Sequence, residues 1–399
     1  MRHATWPSLL ILPVLLFASC TGTESPLTPT VLAIGFGDRI GLIETTLLES
    51  DVPVDERVFF VERTLPDDFD ELVAFDLTGR DNDRDRLAVL SRPSGNPNLS
   101  AVSFYDTSNL DTTDPRSFQE DVDRRVLLTF AALDVDPDLD IVSEQFCPAA
   151  LQVSRTGRYL AVLSRSGLPG CDDLPLDTID IIDLVNLNNP TPLLIARIDD
   201  PIITSVLYLQ QRDDLLYYFR EVAGGAQLRE LDLDPDGLVD RDLVTVDTTD
   251  IVDAGPVTDT LVVLEPDAFT PILDFVANPL LGDRVETSSS SLRLVSDDFA
   301  SERGVYVVGA NTLTVHLNIL DEEEDDLQLN SRAGVSNEVY ESLNRFIYFV
   351  SNNRIDKFDA LSYTGEELTS RDLLPLVVND LTNPQFATWL RVDVAPETP

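Results

Sequence analysis

The side chains of this chain that could do chemistry are mostly carboxylates, and they are concentrated in turns. Asp232, Asp234, Asp236 and Asp240 lie close together in one such segment, with Gly237 after the third of them. Alternating carboxylates can converge on a hard cation, and a glycine allows the sharp turn that this requires. We therefore predict a Ca²⁺ site formed by Asp232, Asp234, Asp236 and Asp240.

This segment lacks two features of a helix–loop–helix calcium loop. Leu243 stands at the twelfth position, where a bidentate glutamate is expected, and no helical periodicity flanks the turn. The segment is more similar to the Asp-rich turns between strands of extracellular β proteins. Sparser copies occupy residues 81–85 and 134–140. The alternative is that these aspartates shape solvated turns by accepting hydrogen bonds from nearby backbone N–H groups.

Catalytic chemistry of other kinds has few candidates. The histidines are His3 and His316, and Lys357 is the single lysine. No nucleophile elbow precedes His316, which lies in a strand-like run, so we predict no catalytic residues. The glycines of residues 35–41 fit a hairpin turn, because a β-branched apolar run follows them where a phosphate-binding loop needs a helix.

The net charge of the chain limits the classes of partner that it can bind. The chain has 71 acidic and 28 basic residues, for a net charge of −43, which makes nucleic acid a poor partner. The hydrophobic fraction of 43% is nevertheless high enough for a folded core. An acidic surface favours cationic partners. The densest acidic block, residues 321–326, is expected to form an exposed loop.

The first 19 residues have the pattern of an export signal. A basic start precedes an apolar run that Pro13 interrupts and that is too short to span a membrane. Residues 17–20, Phe-Ala-Ser-Cys, resemble the lipobox of bacterial lipoprotein signal peptides. The resemblance implies cleavage before Cys20 and lipidation of Cys20, and Thr21 in place of aspartate implies the outer membrane or cell surface. The alternative is a secreted protein with an incidental cysteine.

After the predicted lipidation site, residues 20–30 have the composition of a flexible tether. The other cysteines are Cys147 and Cys171. An exported chain reaches an oxidising compartment, where an even number of cysteines favours a disulfide. We therefore predict a disulfide between Cys147 and Cys171; two unrelated buried thiols are the alternative.

The rest of the chain, residues 31–395, alternates short β-rich runs with turns and lacks long helical periodicity. The runs group into strand pairs whose first strands begin about 52 residues apart on average, which is a propeller-blade period. A final run at 386–394 could complete a shared blade and close the ring. The pairs are 31–36 with 39–45, 86–91 with 99–106, 157–164 with 178–184, 214–220 with 227–233, 260–264 with 272–276, 304–309 with 312–319, and 345–350 with 354–358.

Two segments of the third pair carry a family resemblance. Residues 153–162, VSRTGRYLAV, resemble the strand–turn–strand of YVTN and WD40-like propellers. Residues 181–192, IIDLVNLNNPTP, resemble the LVIVD repeats of bacterial surface propellers. The resemblance implies an all-β fold, a β-propeller, and the seven strand pairs predict a single domain of seven four-stranded antiparallel blades. A tandem of two-sheet sandwiches is the rival architecture.

These observations predict a lipid-anchored extracytoplasmic propeller. It would act as a non-catalytic binding or assembly module of the bacterial cell envelope, stabilised by Ca²⁺, with an envelope protein or surface-layer partner. Its membrane contact would be the lipid anchor alone. The alternatives are a propeller hydrolase or lactonase that uses clustered carboxylates and Ca²⁺, and a purely structural protein of a periodic surface layer. Fold alone does not choose between these functions.

Overall fold

The computed structural model consists of short β-strands and turns throughout the part of the chain that it describes. Within that part, no helix is both long and apolar enough to cross a membrane. The described residues are 30–45, 60–65, 68–78, 86–96, 98–107, 110, 118–154, 157–184, 191–209, 215–233, 238–257, 260–287, 291–295, 305–309, 312–316, 324–328, 337–341, 344, 346–359, 373–377 and 381–391.

The strands of the first half of the chain are numbered in chain order. They are β1 Thr30–Phe36, β2 Arg39–Glu44, β3 Phe60–Thr64, β4 Glu71–Thr78, β5 Arg86–Arg92, β6 Ala101–Asp106, β7 Gln119–Leu127, β8 Asp134–Val135, β9 Pro148–Val153, β10 Tyr159–Ser164, β11 Thr178–Asp183, β12 Leu193–Ile198, β13 Ile202–Leu209, β14 Leu215–Val222, β15 Gly225–Asp232 and β16 Val239–Val246.

The second half continues the same pattern of short strands. They are β17 Asp253–Val257, β18 Thr260–Leu264, β19 Ala268–Leu273, β20 Leu280–Leu281, β21 Val285–Glu286, β22 Ser291–Val295, β23 Val305–Gly309, β24 Thr312–His316, β25 Glu324–Gln328, β26 Asn337–Glu341, β27 Phe346–Ser351, β28 Arg354–Asp359, β29 Leu373–Val377 and β30 Phe386–Arg391.

The described strands form seven small sheets, each built mainly from consecutive antiparallel strands. From the inner to the outer strand they are the first sheet β30-β1-β2-β3, the second β4-β5-β6-β7, the third β9-β10-β11-β12-β8, the fourth β13-β14-β15-β16, the fifth β17-β18-β19-β20 with β21 also on β19, the sixth β22-β23-β24-β25 and the seventh β26-β27-β28-β29.

The inner strands close a ring. Each inner strand contacts that of the next sheet, from β4 through β9, β13, β17, β22 and β26 to β30, and β30 contacts β4 again. The first sheet joins the two ends of the described chain, because β30 pairs antiparallel with β1 and places Trp389 opposite Leu32. A closed ring of small sheets around an axis is a β-propeller. The predicted all-β propeller is confirmed, and the alternative of tandem sandwiches is wrong.

Six of the seven predicted strand pairs form neighbouring interior strands of one sheet, from β1–β2 to β27–β28. The second strand of the fifth pair, expected at 272–276, is wrong in position, since β19 spans Ala268–Leu273 and residues 274–276 form a turn. The expectation of uniformly four-stranded antiparallel blades is wrong at the third and fifth sheets. In the third sheet, β8 adds an outer strand that runs parallel to β12. In the fifth sheet, β20 and β21 both pair with β19. Long connections between repeats supply these extra strands, and strand-pair periodicity does not report them.

The core lies between neighbouring sheets. Strand side chains alternate between two faces, so one strand contributes to two separate clusters. Leu87 and Val89 of β5 pack with Val31 of the first sheet. Ala88 and Leu90 of the same strand pack with residues of the third sheet. The strand next to the inner strand is therefore buried on both faces, which explains the continuous apolar runs of β10 and β18.

The hairpin interpretation of residues 35–41 is confirmed. β1 and β2 pair directly, with Phe36 opposite Arg39, and Gly37 between them has a φ of 63°. Gly35 lies where the first and second sheets approach closely, since a Cβ atom there would lie 2.1 Å from Cδ2 of Leu72. The hairpin thus joins two strands and leaves no helix start for a phosphate.

The expectation of a loop at residues 321–326 is wrong for its second half. Glu324, Asp325 and Asp326 belong to β25, the outer strand of the sixth sheet, where Asp326 pairs with Thr314. Charged residues are common on outer strands because they discourage pairing with another sheet. The acidic block is therefore compatible with a strand at this edge.

Candidate functional site

A cleft opens between the second and third sheets, at the end where their connections meet. Because strands alternate in direction, the β5–β6 turn, the β10–β11 turn and the β7–β9 connection all reach the same end of the propeller. The cleft has a volume of about 310 Å³, at the lower end of the range for small-ligand pockets. Its lining residues are Asn98, Leu128, Thr129, Phe130, Ser143, Glu144, Gln145, Phe146 and Asp173.

An aromatic pair forms one wall of the cleft. The ring centroids of Phe130 and Phe146 are 5.0 Å apart. The guanidinium carbon of Arg197, on β12, lies 5.0 Å from each of the two centroids. Phe146 is 2% exposed, so this wall is part of the core between the two sheets.

The guanidinium of Arg197 also fixes the connection that lines the cleft. It donates to Oδ1 of Asp180 at 2.5 Å and to Oδ2 at 3.0 Å. It also donates to the backbone carbonyls of Ser143 and Gln145. Burial raises the pKa of Asp180, and the hydrogen bonds from Arg197 oppose that shift. The pair thus joins the third sheet to residues 143–145.

Gln145 links the three connections around the cleft. Its Nε2 atom donates to Oδ1 of Asn98 at 2.7 Å and to the carbonyl of Gly170 at 3.0 Å. Its Oε1 atom accepts from the backbone N–H of Asp173 at 3.0 Å. One side chain therefore sets the spacing between the β5–β6 turn, the β7–β9 connection and the β10–β11 turn.

The predicted disulfide is confirmed and lies beside this cleft. Cys147 and Cys171 are bonded and fully buried, with their Cα atoms 6.1 Å apart. Cys147 follows the last lining residue of the β7–β9 connection, and Cys171 lies in the β10–β11 turn. The bond therefore holds two walls of the cleft together. Leu174 packs on the disulfide within the same small core cluster.

Two carboxylates at the cleft differ from those inside the propeller. Asp183 is buried and pairs with Arg158 at 2.8 Å, and Asp180 pairs with Arg197 as described above. Glu144 and Asp173 are exposed, and among the described residues no basic side chain pairs with either carboxylate. The cleft therefore presents net negative charge to solvent.

The structure does not bring together the two predicted calcium ligands that it describes. Asp240 lies opposite Leu231 in the β15–β16 ladder, whereas Asp232 lies opposite Val239. Directly opposed residues share a face and successive residues alternate, so Asp232 and Asp240 point to opposite faces of the sheet. Asp234 and Asp236 lie outside the described residues. The calcium site at this turn stays a prediction.

Each of these two aspartates instead has an arginine partner. Arg229 donates through Nε to Oδ1 of Asp240 at 3.0 Å and also pairs with Asp242 at 2.6 Å. The hydroxyl of Tyr218 donates to Oδ2 of Asp240 at 3.2 Å, and burial raises the pKa of Tyr218. On the other face, Arg241 lies 3.7 Å from Asp232.

The sparser Asp-rich segment at 134–140 forms part of the third sheet. The backbone N–H groups of Asp134 and Asp136 donate to the carbonyls of Pro192 and Leu194. Oδ1 of Asp136 accepts from the N–H of Asp138 at 2.9 Å, the local turn bond that was the alternative to a cation site. Across the described part of the chain, no group of three or more His, Cys, Asp or Glu side chains could hold a metal ion.

Other predicted features lie outside the described residues or are seen only in part. Cys20, the signal segment 1–19, and the tether up to residue 29 are outside the description. His316 ends β24 opposite Val305 and Glu324, and its side chain is not described. The sequence did not predict the cleft, because its walls come from connections that differ from the repeat. The best sequence signal for it was Cys147 with Cys171.

The comparisons with known proteins identify the fold. No protein-family model matches the sequence, and no curated protein matches it significantly. Solved structures do match. A functionally unknown protein from Desulfotomaculum acetoxidans DSM 771 has a TM-score of 0.57 at 14% identity, over 91% of this chain and 99% of that one.

Two further structures extend this likeness. A protein from Lactobacillus plantarum has a TM-score of 0.56 at 10% identity and covers 91% of this chain and 100% of its own. Hsv2p from Kluyveromyces lactis has a TM-score of 0.50 at 14% identity, over 87% and 93% of the two chains. The likeness is to the fold alone. At these identities it supports the β-propeller and says nothing of activity.

Proposed function

We propose that this chain is a lipid-anchored extracytoplasmic β-propeller that acts as a non-catalytic binding or assembly module of the bacterial cell envelope. The disulfide between Cys147 and Cys171 is the observation that carries the proposal. Structural disulfides persist in oxidising compartments, which fits an exported chain. This disulfide also holds two walls of an open cleft, which fits a binding role.

The anchor part of the proposal rests on the N-terminal sequence. Residues 17–20 resemble a lipobox, and Cys20 is the residue that would carry the lipid. The segment of about ten residues from Cys20 to the first strand has the polar, proline-containing composition expected of a tether. Such a tether would hold the propeller near a membrane surface and leave its faces accessible.

The partner part of the proposal rests on charge. The net charge of −43 favours association with a cationic surface of an envelope or surface-layer protein. The cleft contributes to this negative potential through Glu144 and Asp173. Calcium binding at the 232–240 turn remains a separate expectation, and neither the anchor nor the partner depends on it.

The anchor is tested by fractionation of producing cells with metabolic labelling by a radioactive fatty acid. We expect the full chain to carry label and to sediment with membranes. The Cys20→Ser variant should lose the label and leave the membrane fraction, and the tether variant Ser25→Ala should behave as wild type. A Cys20→Ser protein that stays labelled and membrane-bound would overturn the anchor.

The binding role is tested by chemical cross-linking on intact cells, followed by capture of the mature protein and mass spectrometry. We expect one dominant envelope protein above the background. Well-captured protein with no cross-linked partner would overturn the assembly role. That result would favour the alternative function, a carboxylate-dependent enzyme. A screen of hydrolase and lactonase substrates with and without Ca²⁺ would then test that alternative.

A further inference from the structure

We propose that the cleft between the second and third sheets binds an organic cation, an ammonium or guanidinium group carried on an apolar stem. This inference deepens the proposed binding role by naming the chemistry that its site recognises. The same chemistry is found in a lysine or arginine side chain of a partner protein and in a free organic amine.

The walls of the cleft suit the apolar stem. Phe130 is partly exposed and presents aromatic surface to it, whereas Leu128 and Phe146 also line it but are buried, and the volume of about 310 Å³ admits a group the size of a long side chain. Burying the stem of a lysine or arginine along such a surface is favourable while its charged head stays near water. The apolar wall therefore selects cations with a hydrocarbon stem over inorganic cations.

The aromatic pair is already used to hold a cation inside the protein. The guanidinium of Arg197 lies 5.0 Å from the ring centroids of Phe130 and Phe146. Aromatic rings attract cations through their electron-rich faces, and the attraction strengthens where water is excluded. Because Arg197 is only 5% exposed and Asp180 neutralises its charge, it does not repel a second cation on the cleft side.

The charge at the cleft favours a cation over an anion. Glu144 and Asp173 line it as exposed carboxylates, and in the described part of the chain no arginine or lysine neutralises them. A guanidinium or ammonium group seated between them would gain charge-assisted hydrogen bonds. An anionic ligand would meet two negative charges without compensation.

The cleft is also fixed before any ligand arrives. The disulfide joins the β7–β9 connection to the β10–β11 turn, and Gln145 joins both to Asn98. A site whose walls are already held loses little conformational entropy on binding. Rigid walls with two free carboxylates therefore give a site for a small group rather than a surface that must fold around its partner.

The test is isothermal titration of the full-length mature protein with two probes. Agmatine carries a guanidinium and an ammonium on a four-carbon stem and represents the free amine. The peptide acetyl-Gly-Leu-Arg-Leu-Gly-amide represents a partner's side chain, and the same peptide with citrulline in place of arginine is its uncharged control. We expect saturable binding of at least one cationic probe and at least tenfold weaker binding of the citrulline peptide.

Two variants with the same change in net charge locate the binding. The double variant Glu144→Gln with Asp173→Asn should bind the cationic probe at least tenfold more weakly than wild type. Asp140→Asn with Asp172→Asn changes exposed carboxylates that do not line the cleft, and it should bind as wild type. All three proteins should share one thermal midpoint, because none of these side chains is buried.

Each outcome of the titration has a consequence. Binding of agmatine alone identifies a free amine as the ligand, binding of the peptide alone identifies a partner's side chain, and both results support the site. No binding of either probe at millimolar concentration, equal binding of the citrulline peptide, or equal weakening by both variants would overturn it. These results leave the membrane anchor and the cross-linked partner unaffected, so failure of the cleft is distinguishable from failure of the proposed function.

Discussion

Arg197 and Asp180 lie directly opposite each other on neighbouring strands of the third sheet and form a buried, doubly hydrogen-bonded ion pair. The Asp180 side chain is fully buried and that of Arg197 is 5% exposed. The remaining hydrogen bonds of the guanidinium go to the carbonyls of Ser143 and Gln145. One arginine therefore connects the sheet, the aromatic pair and the connection that lines the cleft.

Removing one partner of this pair should be costly. Arg197→Met leaves the Asp180 carboxylate buried without its partner, so we expect a loss of about 3–5 kcal/mol in the free energy of unfolding. The double variant Arg197→Met with Asp180→Leu should recover much of that loss, because no isolated charge stays buried. Urea denaturation measures both. Arg39→Met, which breaks an exposed pair with Asp38, is the control and should cost below about 1 kcal/mol. Equal losses in the single and double variants would contradict this account.

The disulfide should contribute to stability by restricting the unfolded chain. Its cysteines are 24 residues apart, and closing a loop of that length is worth about 3 kcal/mol. The variant Cys147→Ser with Cys171→Ser should lose that amount in urea denaturation. Reductant should lower the wild-type midpoint to that of the variant and leave the variant unchanged. A wild-type midpoint that reductant does not move would contradict the prediction.

The arginine partner of Asp240 predicts how this residue responds to calcium. Asp240→Asn removes one carboxylate from Arg229, which keeps Asp242, and we expect a loss of about 1 kcal/mol. Because an arginine satisfies Asp240, thermal melts should show the same loss in chelator and in millimolar Ca²⁺. Asp250→Asn, another exposed aspartate, is the control. A larger loss in Ca²⁺ would instead support the cation site predicted from the sequence.

Asp70 predicts a pH dependence. Its carboxylate accepts from the backbone N–H of Ser94 at 2.6 Å and from the Ser94 hydroxyl at 3.0 Å, and these bonds lower the pKa of Asp70 below its ordinary value of 3.8. A lowered folded-state pKa gives stability that is present above pH 3.8 and is lost as the pH falls through the folded-state pKa. The stability difference between wild type and Asp70→Asn should therefore be largest near neutral pH and shrink below pH 3.8.

Urea denaturation across this pH range measures the Asp70 effect. Asp68→Asn changes a neighbouring exposed aspartate and is the matched control, whose difference from wild type should not follow the same course. A difference for Asp70→Asn that grows on acidification would have the wrong sign for a carboxylate stabilised by hydrogen bonds.

The repeat was readable from the sequence because buried interior strands must be apolar on both faces, as in β10 and β18. The cleft was not, because it is built by connections that differ between repeats. Phe130, Phe146 and Gln145 lie between strands and follow no period. The calcium prediction relied on the spacing of the aspartates along the chain. Strand pairing, however, places Asp232 and Asp240 on opposite faces of the sheet. The spacing of residues in the sequence therefore predicts strands well. It predicts binding sites poorly, because strand pairing determines the face to which each side chain points.

Trp389 should report closure of the ring. It lies on β30, is 4% exposed, and packs in one core cluster with Leu32, Ile34 and Tyr348. Trp389→Ala should cost about 3–5 kcal/mol, because it leaves a cavity where the last strand joins the first sheet. Thr388→Ala, on the neighbouring position of the same strand, should cost below about 1 kcal/mol.

Trp389 also tests whether closure of the propeller ring and folding of the sheets occur in one cooperative transition. The other tryptophan, Trp6, lies in the segment expected to be removed, so Trp389 would be the only tryptophan of the mature chain. Since β30 is the inner strand of the first sheet and contacts both β4 and β26, its release would open the ring on two sides. Unfolding followed by tryptophan fluorescence should therefore coincide with unfolding followed by far-ultraviolet circular dichroism. A fluorescence transition at lower denaturant would mean that the last strand detaches while the other sheets stay folded.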